Sequence, residues 1–250
     1  MTDIKKHGLS FKDYSLDGES EDYIVAKELI ENLFFDMSKL STKYCNSVFN
    51  ELPYTFSERC LDSVLLPALS KICDAKVLVE YPVTRQCNNR RFLMEEANGR
   101  IDYWCIYKGY SFVIELKHGY DCFRSTSETI KSKVANSWVT MNKQLQSVEK
   151  DIKQFEEDTK GVIRLGLHIV TSYSDITPDS QLIRQFRSSV LDISKRFQRD
   201  LSKQYPSLKP DVVLCWMIPP RIVLLGEQTF PGLWAIAKVY PKIKHCGANQ

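Results

Sequence analysis

Two β-rich, aromatic-rich runs flank the dipeptide Lys108-Gly109, and together they predict a β-hairpin over residues 99–117. A two-residue turn pairs the residues on either side of the dipeptide, so counting outward sets Asp102 opposite Glu115. Side chains alternate between the two faces of a strand. One face is predicted to carry Asp102, Trp104, Ile106, Ser111, Val113, Glu115 and Lys117. The other, more apolar face is predicted to carry Ile101, Tyr103, Cys105, Phe112, Ile114 and Leu116.

This geometry brings two carboxylates and an ammonium group together at one end of the hairpin. Directly opposed Cβ atoms lie about 4.5–5.5 Å apart, so the anions of Asp102 and Glu115 repel each other. A hard divalent cation such as Mg²⁺ favours carboxylate oxygens and relieves that repulsion. Lys117 lies on the same face and is in position to hold a water or a phosphate oxygen. A metal, an activated water and a cation together suit phosphodiester hydrolysis.

At these residues the chain resembles the PD-(D/E)XK nuclease superfamily, also called restriction-endonuclease-like. The family pattern is an Asp at the start of one strand and Glu/Asp-x-Lys on the next, which correspond to Asp102 and Glu115-Leu116-Lys117. Ile101 stands where the family pattern has Pro, and many members share a departure from Pro at this position. The resemblance implies a metal-dependent nuclease in which Asp102 and Glu115 hold Mg²⁺ or Mn²⁺ and Lys117 is the catalytic cation. It implies a nucleic-acid partner, with DNA ahead of RNA, and leaves room for a homodimer.

The triplet by itself is a weak signal, because four other acid-x-Lys triplets occur in the chain, at Asp3, Asp74, Asp151 and Asp158. Glu115-Leu116-Lys117 differs from them because it closes an apolar strand and faces an Asp on the hairpin partner. Two alternatives stay open. The residues could form a surface ion pair at a strand end, or the chain could be a catalytically silent nuclease-like module that binds nucleic acid or a protein.

A third metal ligand has two candidates. The resemblance implies a Glu from the helix before the sheet, and Glu58 lies in the first turn of a helix predicted over residues 57–72. An acid in the first turn equally favours the helix dipole. Glu80, at the end of a strand predicted over residues 76–81, is the rival ligand.

Contacts to nucleic acid are predicted at three further residues. Arg85 and Arg91 lie in the polar, basic segment 84–98, which is interpreted as a loop able to reach phosphates. Gln144 lies on an amphipathic helix predicted over residues 127–157, and Gln144-Leu145 resembles a Gln-Leu pair in some branches of the family. The basic residues of a helix predicted over 180–205 could follow a nucleic-acid backbone or simply face solvent.

The order of elements over about residues 57–170 is helix, strand, hairpin, long helix, strand. It predicts an α/β fold with a mixed central sheet flanked by helices and resembles the restriction-endonuclease-like core (αβββαβ). Residues 1–56 are interpreted as an N-terminal helical appendage, and residues 57–250 as the nuclease-like domain with strands added at its C-terminal end. The last strand, at 234–240, is interpreted as an edge strand. His168, in the buried strand at 162–170, is interpreted as a hydrogen-bonded core histidine.

Composition excludes little. The net charge of +3 permits nucleic-acid binding without arguing for it, and no apolar run approaches the ~20 residues of a membrane span. The N-terminal residues lack the apolar segment of a signal peptide. The eight cysteines form no Cys-x-x-Cys pair, so we expect reduced thiols, a cytoplasmic protein and neither a structural zinc nor an iron–sulfur cluster.

Overall fold

A computed structural model of the chain describes residues 9–13, 20–47, 51–87, 95–122, 130–148, 155, 158–174, 180–217, 224–225 and 228–240. Within these residues eight strands form one sheet. They are β1 (Leu9–Asp13), β2 (Val77–Cys87), β3 (Glu95–Tyr107), β4 (Tyr110–Cys122), β5 (Val162–Ser174), β6 (Val212–Met217), β7 (Leu224–Leu225) and β8 (Gln228–Tyr240). The strand order is β1-β6-β8-β5-β4-β3-β2, with β7 paired to β8. Only β4 and β5 are parallel among the described pairs, so the sheet is mixed, as predicted.

Helices cover both faces of the sheet. They are α1 (Glu21–Cys45), α2 (Glu58–Ile72), α3 (Ser132–Ser147) and α4 (Ser180–Gln204). Helices α1 and α2 bury their apolar stripes against Phe112, Ile114 and Leu116 on one face. Helices α3 and α4 pack on the other face, around Val170 and Trp234. This layering confirms the predicted α/β class, and α1 shares a core with α2 and the sheet.

The arms of the β2–β3 hairpin are longer than the sequence predicts. Strand β2 continues through Pro82 to Cys87, and β3 begins at Glu95, so part of the predicted loop 84–98 is paired strand. Proline fits here because β2 is the last strand of the sheet, where one side of the backbone has no ladder partner. The pairing continues as far as Cys87 and Glu95.

Two further predictions of the sequence analysis are wrong. Strand β8 lies between β5 and β6 and is therefore central, because β6 and β1 add to the sheet outside it. Helix α3 ends at Ser147, whereas the periodicity predicted a helix from 127 to 157. Beyond it, Phe155 is buried against the rings of Tyr81 and Trp104, with centroid separations of 5.8 and 4.9 Å. Phe155 is itself a helical residue, and residues 149–154 and 156–157 of the predicted helix lie outside the described part of the structure.

Candidate active site

The hairpin between β3 and β4 has the predicted register. Lys108 and Gly109 both have positive φ, at 50° and 82°, as a two-residue type I′ turn requires. The ladder runs from the turn to the pair Tyr103–Ile114. Continued by one residue, the same register sets Asp102 opposite Glu115.

The ladder ends at that point because the Asp102 side chain takes a backbone hydrogen bond. The amide of Leu116 donates to Asp102 Oδ2, with a nitrogen–oxygen distance of 2.6 Å. Hydrogen bonds to an ionised acceptor are shorter and stronger than neutral ones. The Asp102 carboxylate is therefore fixed against the middle residue of Glu115-Leu116-Lys117.

The division of the hairpin into two faces is correct in part. Trp104 Nε1 donates to Ser111 Oγ at 2.8 Å, so these two residues share a face as predicted. Ile101 does not share a face with Tyr103. It packs with Val113 in a cluster under α3, whereas Tyr103 lies in the core under α1 and α2. The strict alternation of side chains is therefore broken between Ile101 and Tyr103.

The break coincides with a backbone irregularity in the neighbouring strand. Glu80 has a φ of 52°, an uncommon value for a residue with a side chain. By the β2–β3 register Glu80 lies opposite Asp102, and at this point the ladder is interrupted. Such outliers cluster at functional sites, where the surrounding structure over-determines the backbone. Here the irregular residue, Glu80, lies opposite Asp102, where the regular pairing of β3 with β4 has ended.

Glu115 is 1% exposed, although it is charged in water. Its partner across the parallel β4–β5 ladder is Gly166. A Cβ at Gly166 would meet Met141 Cε at 2.7 Å and Leu145 Cδ1 at 3.1 Å, so the missing side chain lets α3 pack close to the sheet. Burying a carboxylate is costly unless cations or hydrogen-bond donors accompany it. Glu115 is therefore a buried carboxylate beside the close contact between β5 and α3.

Helix α2 directs a third carboxylate at β4, beside Lys117 and His118. Glu58, its first residue, accepts the backbone amide of His118 at Oε2 with a distance of 2.8 Å. Its Oε1 lies 4.0 Å from Lys117 Nζ. Burial raises the pKa of Glu58, and the charges of Asp102 and Asp62 raise it further, against the lowering effects of Lys117 and the His118 amide. The charge of Glu58 therefore interacts with Asp102 on β3 and with Lys117 on β4.

Lys117 is largely enclosed, with 21% of its side chain exposed. Its ammonium donates to the carbonyl oxygen of Leu116 at 2.8 Å. The carbonyl and the nearby carboxylate hold the ammonium group in one position. The ammonium has three N–H donors, so it can still donate to a further acceptor. This placement suits a group that holds an anionic oxygen.

The rival third ligand points elsewhere. The carboxylate of Glu80 lies 3.6 Å from Arg100 Nη1, and 63% of its side chain is exposed. Gln144 is half-buried on α3, between Met141 and Leu145 in sequence. Arg85 lies in β2, but its side chain, like the whole of Arg91, lies outside the described part of the structure.

The predicted basic stripe of α4 is partly neutralised. Arg196 Nη2 donates to Asp121 Oδ2 at the end of β4, and both side chains are largely buried. Arg199 Nε lies 2.9 Å from Asp200 Oδ1, which belongs to the same helix. These ion pairs reduce the positive charge that α4 can offer to a nucleic-acid backbone.

Two histidines lie beside the candidate site. The ring of His118 is 2.9 Å from Thr171 Oγ1 through Nε2, and burial lowers its pKa to about 4. His168 pairs with Lys117 across the β4–β5 ladder and is fully buried, which lowers its pKa to about 3. Within the described residues neither ring nitrogen of His168 has a hydrogen-bond partner. His168 is therefore a core residue, as predicted, while its predicted hydrogen bonds have no partner among the described residues.

A hydrogen bond that was not predicted from the sequence joins α2 to the sheet. The hydroxyl of Tyr103 donates to Asp62 Oδ1, and burial together with that carboxylate raises the pKa of Tyr103. Asp62 follows Glu58 by four residues, so both acids lie on one side of α2. That spacing is the one signal in the sequence that could have indicated the pair.

The donor chemistry of the site fits a hard divalent cation. Asp102, Glu115 and Glu58 would supply carboxylate oxygens only, the ligands that Mg²⁺ and Mn²⁺ favour. Burial is the main cause of the raised pKa of Glu58, and the neighbouring acids Asp102 and Asp62 add smaller effects in the same direction. Over the described ranges, no group of three or more His, Cys, Asp or Glu side chains already meets the geometry of a metal site.

Comparisons with known proteins identify no family for this chain. No family model and no curated protein matches it. A solved structure titled "Crystal structure of SSO0001" matches over 75% of this chain and 95% of that chain, at 14% identity and a TM-score of 0.22. A likeness this low carries no argument about fold or function. In the described part of the chain, no helix has the length and apolar character needed to cross a membrane.

Proposed function

We propose that this protein is a metal-dependent nuclease of the PD-(D/E)XK type, which hydrolyses phosphodiester bonds of nucleic acid. One observation carries the proposal. The Asp102 carboxylate accepts the amide of Leu116, the central residue of Glu115-Leu116-Lys117, at 2.6 Å. In an incidental acid-x-Lys triplet, nothing would favour a hydrogen bond from the backbone amide of the middle residue to a carboxylate on a second strand. The restriction-endonuclease-like arrangement of the core belongs to this proposal.

Three carboxylates have the role of metal ligands in this account. Asp102 and Glu115 come from the hairpin, and Glu58 comes from the start of α2, beside Lys117. A bound Mg²⁺ or Mn²⁺ would supply a Lewis acid and a water of lowered pKa. Glu58 takes the third position in preference to Glu80, because Glu80 faces Arg100 and solvent.

Lys117 has the role of the catalytic cation. Its ammonium is fixed by the Leu116 carbonyl and lies 4.0 Å from Glu58. Held there, it can orient a water or a non-bridging phosphate oxygen and stabilise charge that develops on the phosphate. Preorganised charges of this kind need no rearrangement at the moment of reaction, which is why they lower barriers effectively.

Helix α2 must stay docked for this arrangement to persist. The hydrogen bond from Tyr103 to Asp62 joins α2 to β3, one residue from Asp102. The bond from the His118 amide to Glu58 joins the same helix to β4. Together these contacts position the Glu58 carboxylate relative to both strands of the hairpin.

The proposed partner is nucleic acid, with DNA as the first substrate and RNA as the second. The proposed location is the cytoplasm, which agrees with the free cysteines at positions 45, 60, 73, 105, 122 and 215. A homodimer stays a proposal that sedimentation can test.

A cleavage screen tests the function directly. Labelled single- and double-stranded DNA and RNA are incubated with the protein in Mg²⁺, in Mn²⁺ and in excess EDTA. We expect at least one substrate to be cut in a metal-dependent manner, and the cutting to be lost in Lys117→Ala. The matched control is Lys71→Ala, which removes an exposed lysine that pairs with Asp36 far from the site. Equal cutting by the Lys117→Ala variant and the wild type would contradict the assignment.

A further inference from the structure

The outer edge of β2 carries exposed apolar side chains. Within the described residues, β2 pairs with β3 on one side and is the last strand of the sheet on the other. Leu78 and Val79, near its start, are 51% and 46% exposed, although both are large aliphatic residues. A depression of about 210 Å³, lined by residues 75–78 and 104–106, adjoins Leu78. An exposed apolar edge of this kind is a template for pairing with another strand.

The backbone of this segment is oriented to bond a further strand. The amide of Ile106 donates to the carbonyl oxygen of Lys76 at 3.2 Å, while the next residue, Val77, is the ladder partner of Cys105. In an antiparallel ladder, a bond in this position marks Val77 and Cys105 as a non-hydrogen-bonded pair. Val77, and Val79 two residues on, therefore direct their amide and carbonyl groups away from β3, toward the open edge.

The side chains of this edge complement themselves when two copies run antiparallel. Residues 76–80 read Lys-Val-Leu-Val-Glu, with a cation at one end, an anion at the other and three apolar residues between them. A two-fold axis at Leu78 places Lys76 of each copy opposite Glu80 of the other, and Leu78 opposite its own counterpart. Lys76 and Glu80 are both exposed, so their charges can meet across the axis. The segment is therefore complementary in charge and in apolar character to a second copy of itself.

The same axis also satisfies the backbone. Val77 of one copy lies opposite Val79 of the other, and since both direct their amide and carbonyl groups outward, they form a hydrogen-bonded pair. A shift of the pairing by one position would set outward-directed groups against inward-directed ones. Of the next two registers, the one centred on Val79 sets Leu78 opposite the charged Glu80, and the one centred on Val77 sets Asp74 opposite Glu80, an anion against an anion. Hydrogen bonding and charge therefore select the register centred on Leu78.

We propose that this protein forms a two-fold symmetric homodimer in which residues 76–80 of two copies pair as antiparallel edge strands. Such an interface is isologous, because the same patch serves both copies. The paired segment is short, since Glu80 has a left-handed backbone and Pro82 follows it. Stable interfaces bury about 1,200–2,000 Å², and a segment of this length buries less. We therefore expect a weak dimer, with a Kd on the order of 10 µM.

The inference does not depend on the proposed nuclease activity. By the β2–β3 register Asp102 lies opposite Glu80, two residues along the strand from the axis at Leu78. With ordinary strand rise and spacing, the two Asp102 residues of the dimer lie about 20 Å apart. Each copy therefore keeps its own set of candidate ligands. Association without cleavage and cleavage without association are separate results.

Sedimentation velocity of the full-length protein, at concentrations on both sides of the expected Kd, measures the association. The wild type should pass from monomer to dimer as its concentration rises. Leu78→Lys places two ammonium groups opposite each other at the axis and should weaken the dimer by about 10-fold or more. The matched control is Leu191→Lys, which changes another exposed leucine, on α4, and should associate as the wild type does. A wild type that stays monomeric well above the expected Kd, or unchanged association in Leu78→Lys, would overturn the proposal.

Reversal of the end charges tests the antiparallel arrangement. Lys76→Glu and Glu80→Lys each create two pairs of like charges in a homodimer, so each variant alone should associate more weakly than the wild type. Mixed in equal amounts, the two variants should form a heterodimer. There the introduced glutamate faces the introduced lysine, and the native Lys76 faces the native Glu80. A mixture that associates no better than either variant alone would contradict the pairing.

Cross-linking tests the register itself. Residues that face each other in a non-hydrogen-bonded pair have Cα atoms about 4.5 Å apart, which a disulfide can bridge. Mild oxidation of Leu78→Cys should therefore join two copies through the tryptic peptide 77–85, which contains no native cysteine. Val79→Cys is the matched control, because the two copies of this residue lie about 8 Å apart, too far for a disulfide. A link through peptide 77–85 in Val79→Cys but not in Leu78→Cys would overturn the proposed register.

Discussion

The Asp102 carboxylate lies 2.6 Å from the backbone nitrogen of Leu116, and this bond takes the place of the next rung of the β3–β4 ladder. It joins the two strands at the point where their regular pairing ends. The bond therefore sets the position of a charged group relative to Glu115 and Lys117, which flank Leu116. The proposed activity depends on this relationship.

The first prediction concerns Lys117. Replacing it with Ala should slow cleavage by about 10²–10³-fold, because it removes one preorganised charge aimed at the transition state. Folding and nucleic-acid affinity should change little, since the described contacts of the ammonium group are one carbonyl oxygen and one carboxylate 4.0 Å away. Single-turnover cleavage, thermal melting and a binding assay in Ca²⁺ measure the three quantities. Lys71→Ala, which should match the wild type in all three, is the control.

The second prediction separates the two candidate third ligands. Glu58→Gln should weaken Mg²⁺ or Mn²⁺ binding by about 10-fold or more, while the amide oxygen can still accept the His118 backbone amide. Glu80→Gln should bind the ion as the wild type does, because Glu80 faces Arg100. Isothermal titration calorimetry on the two variants distinguishes them. The reverse pattern, with loss only in Glu80→Gln, would make Glu80 the ligand.

The third prediction concerns acid stability. The folded-state pKa of His168 is about 3, against 6.5 for an accessible histidine. The unfolded chain therefore binds more protons between these values. The stabilising contribution of the neutral ring is fully present above pH 6.5 and is lost as the pH falls toward 3. His118, with a pKa of about 4, acts in the same direction.

The variant His168→Leu removes one of these two groups. The dependence of its unfolding free energy on pH should be shallower by about 1 kcal/mol per pH unit between about pH 6 and pH 4. At about pH 7.5 it should be no less stable than the wild type, because the two ring nitrogens have no described partner to lose. Urea unfolding at several pH values measures both effects. A large loss of stability at neutral pH would show that the ring nitrogens are hydrogen-bonded in solution.

The sequence predicts the hairpin well because its register depends on a local signal. Lys108 and Gly109 have the left-handed backbone that a two-residue turn needs, and the turn fixes every pair up to Tyr103 and Ile114. The apolar stripe of α2 likewise predicts its ends to within a residue. Both features depend on neighbours in the chain, which a single sequence contains.

Features that depend on distant partners could not be predicted in this way. The change of face at Ile101 accompanies the left-handed residue Glu80 on another strand, and no alternation of hydrophobicity marks it. The central place of β8 follows from the addition of β6 outside it. The loss of free charge on α4 follows from the ion pair between Arg196 and Asp121, which lie 75 residues apart.

Substitution of Asp102 by asparagine tests the central claim most directly. The amide oxygen of the introduced side chain can still accept the Leu116 backbone amide, so the hairpin should keep its shape while the site loses one negative charge. The measurement is the rate of metal-dependent cleavage of a substrate that the wild type cuts, with melting curves recorded in parallel and EDTA as the blank. We predict that Asp102→Asn melts close to the wild type and cleaves about 10²-fold or more slowly. Wild-type rates in Asp102→Asn, or a wild type that cuts none of the DNA and RNA substrates in either metal, would contradict the account.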